Sequence, residues 1–457
     1  MEKKMILDVN ESPKSKSQLF ILSLQHILAM FVACITVPLI VGTPIPATIV
    51  SAGIGTLIYI FFTQMKSPVV LSSSFAYLST MQFAFALGRT EESGGNYLAL
   101  ALGMLVVGLI YVIVALVIKK TGTNWLFKLL PTIVVGPVIM VIGLGLAGSA
   151  VNNLNGTASG DYNLLKILCG LIAMIVTAFA SHSKKSNISL IPFVLGMGAG
   201  YLAALLLTVF GYYIGNNSYF LIIDFSPIVD CFKEISLKSF ISYDSFAFLK
   251  FNNGTFHVSQ ILSIVIAFAP VAFVTICEHI GDHLNLSGIL GKDLFTDPGL
   301  TRTLLGDGIA TAVSGGLSGC ANTTYGENVA VVGVTKIASV KVIVVASIMT
   351  VILGFIAPVM SLVQTIPACV TGGVSLILYG FIASSGVKML INDRVDLSSN
   401  RNIFIASAIL VSGIGGLAIT IPLGEGLTPI TITSTAVALI IGIVLNLILP
   451  KDAPKQE

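Results

Sequence analysis

Two short stretches of this sequence place ionisable side chains inside or beside apolar runs long enough to cross a membrane. The first is Glu278-His279-Ile280-Gly281-Asp282-His283, reached directly from the apolar run AFAPVAFVTIC. The second is Ala321-Asn322-Thr323-Thr324-Tyr325-Gly326-Glu327-Asn328, which leads into another apolar run. An ionisable group at such a position is costly and marks a functional site by default. Glu278 and Asp282 are four residues apart, so a helix puts them on one face. Two carboxylates that close in a low dielectric cannot both ionise cheaply, which makes the pair a proton acceptor. His279 and His283 form a second i, i+4 pair about 100° round the same helix. The competing reading of Asp282 and His283 is a wetted helix end on the cytoplasmic side. The pattern H-x-x-D-H also resembles a metalloprotease zinc helix. No third ligand is placed nearby, so neither a metal nor an enzyme is expected.

Glu327 follows residues that make poor helix, which predicts a broken-helix start there. The first turn of a helix offers backbone N–H groups with no partner of their own. A ring carbonyl could accept from the Gly326 or Glu327 N–H while the carboxylate accepts from a ring N–H. Together these suit a small planar lactam. The plainer reading is a helix-start carboxylate without a ligand. Gln25-His26, in the first apolar run, could fix helix packing or touch the site.

These residues need a membrane scaffold to hold them. Of the 457 residues 55% are hydrophobic and 10% charged, with a mean hydropathy of +0.96. A soluble domain carries about 25% charged residues. The apolar runs are continuous and about 20 residues long, which means helices rather than a barrel. Fourteen such runs can be read, at 19–42, 47–64, 68–88, 97–118, 127–148, 164–182, 188–213, 259–284, 303–320, 323–335, 338–363, 366–387, 402–421 and 430–449. The third and tenth are the weakest, and short extended segments followed by half-helices are expected in them. Six cysteines form no CxxC pair, and five lie in apolar segments, so no disulfide framework is implied. Residues 1–16 are polar with four lysines and read as a cytoplasmic tail rather than a cleaved leader.

With an even span count both ends lie on one side. That side collects 19 of the basic residues and the other four, Arg89, Lys233, Lys238 and Lys250; with Lys166 at a border this accounts for all 24. The bias puts both ends in the cytoplasm and makes 214–258 the largest external loop. A repeat is also visible. Leu130-Pro131-Thr132-Ile133-Val134-Val135-Gly136-Pro137-Val138 opens the fifth run, and Ile366-Pro367-Ala368-Cys369-Val370-Thr371-Gly372-Gly373-Val374 opens the twelfth. An offset of seven, an odd number, inverts one half relative to the other. The weak third and tenth runs are also seven apart. Paired interrupted segments of this kind point to a transporter's binding site.

At these residues the sequence resembles the nucleobase:cation symporter-2 family, also called nucleobase–ascorbate transporters, in its bacterial uracil permease branch. The resemblance covers nearly the whole chain. Its marks are Ser23-Leu24-Gln25-His26, Ser73-Ser74-Phe75, Glu278-His279-Ile280-Gly281, Asp297-Pro298-Gly299-Leu300, Asn322 to Asn328, and Gly372 to Gly380. It implies an all-α integral membrane protein with 14 transmembrane segments in two inverted seven-span repeats. Spans 3 and 10 would be interrupted by short β-strands. A core domain would comprise 19–121 and 259–363, and a gate domain 122–213 and 364–449, with tails at 1–18 and 450–457. The implied activity is proton-coupled uracil uptake across the cytoplasmic membrane, with a xanthine or other purine permease as the alternative. No cofactor and no nucleic acid are implied, and a homodimer in the lipid bilayer is. Phe75, Glu278, Tyr325, Gly326, Glu327 and Tyr379 would contact substrate. Glu278, with Asp282 or His283, would carry the proton, and Gln25, His26 and Asn328 would support the site. A proton-linked uracil permease of the family has His where Asp282 stands, and the family's signature for the tenth span has Gly two residues after the Asn, where this sequence has Ala330.

The orientation has a direct check. A label at Asn216 should react in intact cells with a reagent that cannot cross the membrane; reaction only after the cells are opened would overturn the span count or the orientation.

Overall fold

The computed structural model describes residues 5–87, 95–156, 162–243, 245–246, 258–422 and 430–450. Helices form where apolar runs are continuous and stop at Gly, Pro and polar clusters. Helix α1 (Lys16–Val41) starts on Ser15, whose hydroxyl accepts from the Gln18 N–H, and ends on Gly42 in the left-handed region, φ 92°. Helix α2 (Ile45–Phe62) is followed by strand β1 (Leu71–Ser73) and the nine-residue α3 (Leu78–Ala86). Asn96 caps α4 (Tyr97–Thr121). Then come α5 (Asn124–Leu129), α6 (Thr132–Gly145), α7 (Ala147–Asn155), α8 (Leu164–Ser181), α9 (Ser186–Ser189), α10 (Pro192–Tyr213) and α11 (Ser226–Lys233). The second half holds α12 (Val258–Leu290), α13 (Leu300–Gly316), strand β2 (Asn322–Thr324), α14 (Gly326–Thr335), α15 (Val340–Phe355) and α16 (Ala357–Gln364). It closes with α17 (Ala368–Asn392), α18 (Asn400–Ile414), the hairpin strands β3 (Ile419–Ile421) and β4 (Ile430–Ile432), and α19 (Ser434–Ile448). Among the described residues, eight helical stretches are long and apolar enough to cross a membrane, and three shorter apolar helices accompany them. This is a multi-pass membrane protein.

The helices pack in two groups. In one, α13 lies against α4 and α2, α15 against α2 and α1, and α12 against α4. In the other, α17 lies against α6, α7 and α8, α10 against α8, and α18 against α6 and α19. Small residues let axes come close, as membrane helices require. A Cβ on Gly308 would fall 2.4 Å from the Tyr111 Cβ, and one on Gly108 would fall 2.7 Å from the Gly308 carbonyl oxygen.

Strands β1 and β2 pair antiparallel, Leu71 opposite Thr324, Ser72 opposite Thr323 and Ser73 opposite Asn322. The ladder is extended by Ser74 N–H to the Ala321 carbonyl (2.8 Å) and Tyr325 N–H to the Val70 carbonyl (3.2 Å). All six strand residues are buried.

Several boundaries differ from the apolar runs. The run 338–363 is two helices, because Pro358 needs a fresh helix start and Ile356 turns extended. The run 402–421 leaves helix after Ile414 at Gly415-Gly416, and its last residues form β3; β4 likewise opens the run 430–449. Helix α12 runs on to Leu290, six residues beyond the expected 284. The N-terminal segment is not a free tail from residue 5 onward. Its backbone bonds the 336–340 link, with Ile6 N–H to the Lys336 carbonyl (2.7 Å) and Val340 N–H to the Val9 carbonyl (3.0 Å). Asp8 pairs with Lys292 at 2.6 Å, and that hydrogen bond holds the Asp8 carboxyl below its usual range.

Candidate functional site

The two strands stop short and each hands its chain to a half-helix, α3 or α14. Between those helix starts, α12 and the facing α6 and α17 lies a cavity of about 490 Å³, inside the range of small-molecule sites. Phe75, Glu278, Asp282, Tyr325, Gly326 and Glu327 all line it. Glu278 and Asp282 come from successive turns of α12, and Glu327 from the first turn of α14. Glu327 sits where the helix dipole is positive, a favourable place for a carboxylate. The Thr324 hydroxyl donates to Asp282 Oδ2 at 2.7 Å. Asp282 is therefore a hydrogen-bonded member of the cavity wall, not a wetted helix end.

Three further polar residues, Ser73, Ser74 and Thr323, belong to this wall; the sequence marks them as motif residues without giving them a role. All three residues line the cavity, and among the described residues the buried hydroxyls of Ser74 and Thr323 have no hydrogen-bond partner. Serine and threonine runs are common in loops, so only the strand pairing places these in the cavity wall. The cavity continues past Lys388, Asn392 and Asp393 at the end of α17. There the Thr132 hydroxyl donates to Asp393, joining α6 to α17.

The remaining expected residues stand behind this wall. Tyr379 is buried with its ring edge-on to Phe75, centroids 6.0 Å apart, and does not line the cavity. The Asn328 amide donates to His26 Nδ1 (3.0 Å) and to the His26 carbonyl (3.2 Å), tying α14 to α1. Gln25 is half-buried and lies outside the cavity wall.

His283 is fully buried, so the wetted-end reading fails for it as well. Its Nδ1 lies 2.7 Å from the His279 carbonyl, which can only accept, so Nδ1 carries the proton. In the neutral ring Nε2 then accepts from the Tyr59 hydroxyl at 2.7 Å, and Tyr59 accepts from Ser67 at 2.8 Å. His279 contacts Asp307 at 2.8 Å and Thr303 at 3.0 Å, and both members of the His279–Asp307 pair are 0% exposed. The Thr303 hydroxyl proton goes to the Leu300 carbonyl, so His279 Nε2 donates. The contact between Nδ1 and Asp307 then needs one more proton. A pair holding it is neutral as a whole, as complete burial demands. Asp307 could have been found as a lone carboxylate in the small-residue run 303–320. With all four ring nitrogens engaged, these histidines offer nothing to a zinc ion.

A membrane chain of packed apolar helices, with two short strands paired beside a carboxylate-lined cavity, has the architecture of a membrane permease. The fold matches the transmembrane domain of a cyanobacterium bicarbonate transporter BicA, with a TM-score of 0.60 and 12% identity over 94% of this chain and 97% of that one. It also matches murine Slc26a9, described as an anion transporter in the inward-facing state, with a TM-score of 0.61 and 12% identity over 96% and 68%. Those likenesses are of fold alone. The family model Xan_ur_permease, described as a permease family, matches residues 17–421. Similar sequences include proteins named uracil permease from Bacillus caldolyticus, 40% identical over 98% of this chain and 95% of that one, and from Escherichia coli K12, 32% identical over 93% and 90%. The chain belongs to this permease family, that of the nucleobase:cation symporter-2 proteins, and is a permease rather than an enzyme.

The Thr324–Asp282 bond generates a prediction. Removing a charge-assisted partner from a buried group costs about 1–3 kcal/mol. In a double-mutant cycle of Thr324→Val and Asp282→Asn, unfolding in mixed micelles should give a coupling energy of about 1–2 kcal/mol. Strict additivity would show that the hydroxyl does not hold the carboxylate.

Proposed function

We propose that this permease carries uracil into the cell together with a proton, by alternating access across the cytoplasmic membrane. The observation that carries the reading is the convergence of Glu278 and Glu327, from two different helices, on one cavity edged by a half-helix N-terminus. A lactam presents ring N–H donors and carbonyl acceptors. Carboxylates meet the first, and the Gly326 and Glu327 N–H groups meet the second. Relatives named uracil permeases across nearly the full chain turn the choice from a xanthine or other purine to uracil.

Glu278 is proposed as the proton carrier and Asp282 as its partner. His283 is assigned to packing, since both its nitrogens are engaged away from the cavity. Tyr379 supports substrate through the Phe75 ring, and His26 supports it through Asn328. An inward proton crossing 100 mV supplies about 2.3 kcal/mol, roughly fifty-fold accumulation.

The architecture proposed is fourteen spans in two inverted sevens, with both ends cytoplasmic. Two features support it. β1–α3 and β2–α14 repeat one strand-then-helix order, and their strands run antiparallel. The two packing groups correspond to the proposed core and gate domains. The apolar faces of α8 and α10, with Leu168, Ile175, Leu202 and Leu206 exposed, suit lipid or a second copy in the implied homodimer.

Glu327→Gln keeps the shape but turns an amide donor toward a ring donor. Losing a charge-assisted hydrogen bond costs about 1.5–3 kcal/mol, so uracil affinity of the purified protein should fall ten-fold or more. Unchanged affinity would remove Glu327 from the substrate site.

Proton coupling is tested by initial uptake in proteoliposomes from pH 5 to 8, with and without an imposed gradient. Glu278→Gln should lose gradient-driven accumulation. Asp282→Asn should still bind uracil but move the pH profile, because coupled carboxylates titrate as a unit. Accumulation by Glu278→Gln, or an unmoved profile in Asp282→Asn, would contradict the assignment.

A further inference from the structure

The chain between α10 and α12 does not stand away from the helix ends. After Tyr213 it turns back along α10. The Asn217 N–H donates to the Gly211 carbonyl at 3.2 Å, and the Ile222 and Ile223 N–H groups donate to the Thr208 hydroxyl oxygen at 3.0 and 3.1 Å. Thr208 lies five residues before Tyr213, about 7.5 Å back along the helix at 1.5 Å per residue. Past α11 and a 3-10 turn at Leu237–Ser239, the chain docks a second time. Ile241 bridges Ile356 at the break between α15 and α16, with Ser242 N–H to the Phe355 carbonyl (2.9 Å) and Ala357 N–H to the Phe240 carbonyl (3.0 Å).

These anchors set a depth. Helix α15 starts beside the 336–340 link and reaches Phe355 in 16 residues. That is about 24 Å, less than a hydrocarbon core of about 30 Å. Both anchors therefore lie at or below the far border of the hydrocarbon, and α11 with its following turn is held between them at that level. Exposed Tyr212, Tyr213, Tyr219 and Tyr243 flank the segment, the residue type of a membrane–water border.

The side chains fit this level and not open water. No residue of α11 is buried. Val229, Phe232, Ile235, Leu237 and Phe240 are all exposed, Ile235 at 79%. Single apolar residues on a surface are ordinary, but five within residues 229–240 mark a contact surface. The Phe232 and Phe240 rings meet edge-on, centroids 6.4 Å apart, so the helix and the turn share one apolar face. At 100° per residue, α11 carries half-buried Ile228 and Cys231 on its inner side, then Phe232 and Val229, then Lys233, then Asp230. Protein, apolar stripe, cation and acid in that order describe a helix lying flat in an interface, with lysine reaching up from the boundary. The apolar surface is also continuous with that of α10, where exposed Leu202, Leu206, Val209 and Phe210 run along one face up to Tyr213.

We infer that residues 226–243 form an interfacial foot, whose apolar face lies among lipid at the border of headgroups and acyl chains in the leaflet away from residues 5–11. The occupant of the patch is the bilayer that the chain already crosses. The foot reaches from the α8–α10 pair, where the Asn163 amide donates to the Tyr219 carbonyl at 2.7 Å, to the α15–α16 break. Lipid thus holds down a strap that joins the two helix groups. None of this depends on what the permease carries.

Trp125 is the single tryptophan of the sequence, which gives a clean probe. The test is Ile235→Trp in a Trp125→Phe background, in lipid nanodiscs. Ile235 gives up no packing, and Leu237→Trp, at a second exposed position, supplies the same readout if the first variant folds poorly. A spin-labelled phosphatidylcholine with its label near the headgroup should cut the emission about two-fold, and one labelled at the chain end should cut it less, as expected for a side chain about 5–10 Å deep. Acrylamide should quench less than it quenches free N-acetyltryptophanamide. Full acrylamide quenching without lipid quenching would show a loop in water and overturn the inference. Quenching by neither would show that protein covers the patch, a second copy included, and would overturn it too.

Discussion

A backbone that leaves helix inside a membrane must find partners for its N–H and C=O groups within the protein. Residues 69–77 and 318–325 meet that demand with each other. Three residues of β1 pair with three of β2, and the groups pointing away from the ladder are taken up by neighbouring helices. Thr56 of α2 accepts from the Leu71 N–H at 3.0 Å. Thr311 of α13 donates to the Asn322 carbonyl at 2.8 Å, and Ser314 donates to the Cys320 carbonyl at 2.5 Å. The Asn322 amide reaches the Ser51 and Ala310 carbonyls. Thr56 and Thr311 stand in the second and ninth apolar runs, seven apart, and do the same work for the two strands.

The strand pair in turn fixes everything the cavity uses. It sets the starts of α3 and α14 against each other, brings Thr324 under Asp282, and places Ser73, Ser74 and Thr323 in the cavity wall. Behind α12 a second set of polar contacts holds that helix in rotation. His279 on Asp307 and Thr303 ties it to α13, and His283 on Tyr59 ties it to α2. Rotating α12 to present either histidine to the cavity would break those bonds in a fully buried place, at about 1–3 kcal/mol for each group left unpaired. The carboxylates face the cavity because the histidines are held elsewhere.

Much of this was legible in the sequence because the signals were local. Low charge and long apolar runs fix a membrane chain, and the run 97–118 coincides with α4, Tyr97–Thr121. Proline and glycine explain most boundary differences, as at Pro358 and Gly415-Gly416, where an unbroken apolar run hides a helix end. The i, i+4 spacing groups Glu278 with Asp282 correctly on one face, but spacing alone cannot say which face meets water. His283 follows Asp282 directly and is nevertheless dry, because its environment is set by Tyr59, more than two hundred residues away in sequence. Asp307 was passed over for the same reason, as its partner lies on another helix. The docking of residues 6–11 onto the 336–340 link has no periodic signature at all, since it consists mostly of backbone bonds, with the Ser339 hydroxyl donating to the Glu11 carbonyl.

The fold itself does not decide what is carried. Two half-helices starting at a strand crossing point their positive ends toward one space, a field that by itself favours anions. Solved structures with this fold include a bicarbonate transporter and an anion transporter. In this chain Glu327 occupies the first turn of α14, and Glu278 and Asp282 stand opposite it on α12. One ionised carboxylate among the three already offsets the partial charges of two helix ends, roughly half an elementary charge each. An anion entering would meet repulsion, and a neutral ring with N–H donors would meet acceptors. In the transport cycle proposed above, negative charge on the site would have to be neutralised before it crossed a low-dielectric barrier. A proton does so without occupying the space of the ring. On the function proposed above, the choice of a neutral ring and the dependence on a proton would both follow from the carboxylates placed at the strand crossing, where the helix ends by themselves favour anions.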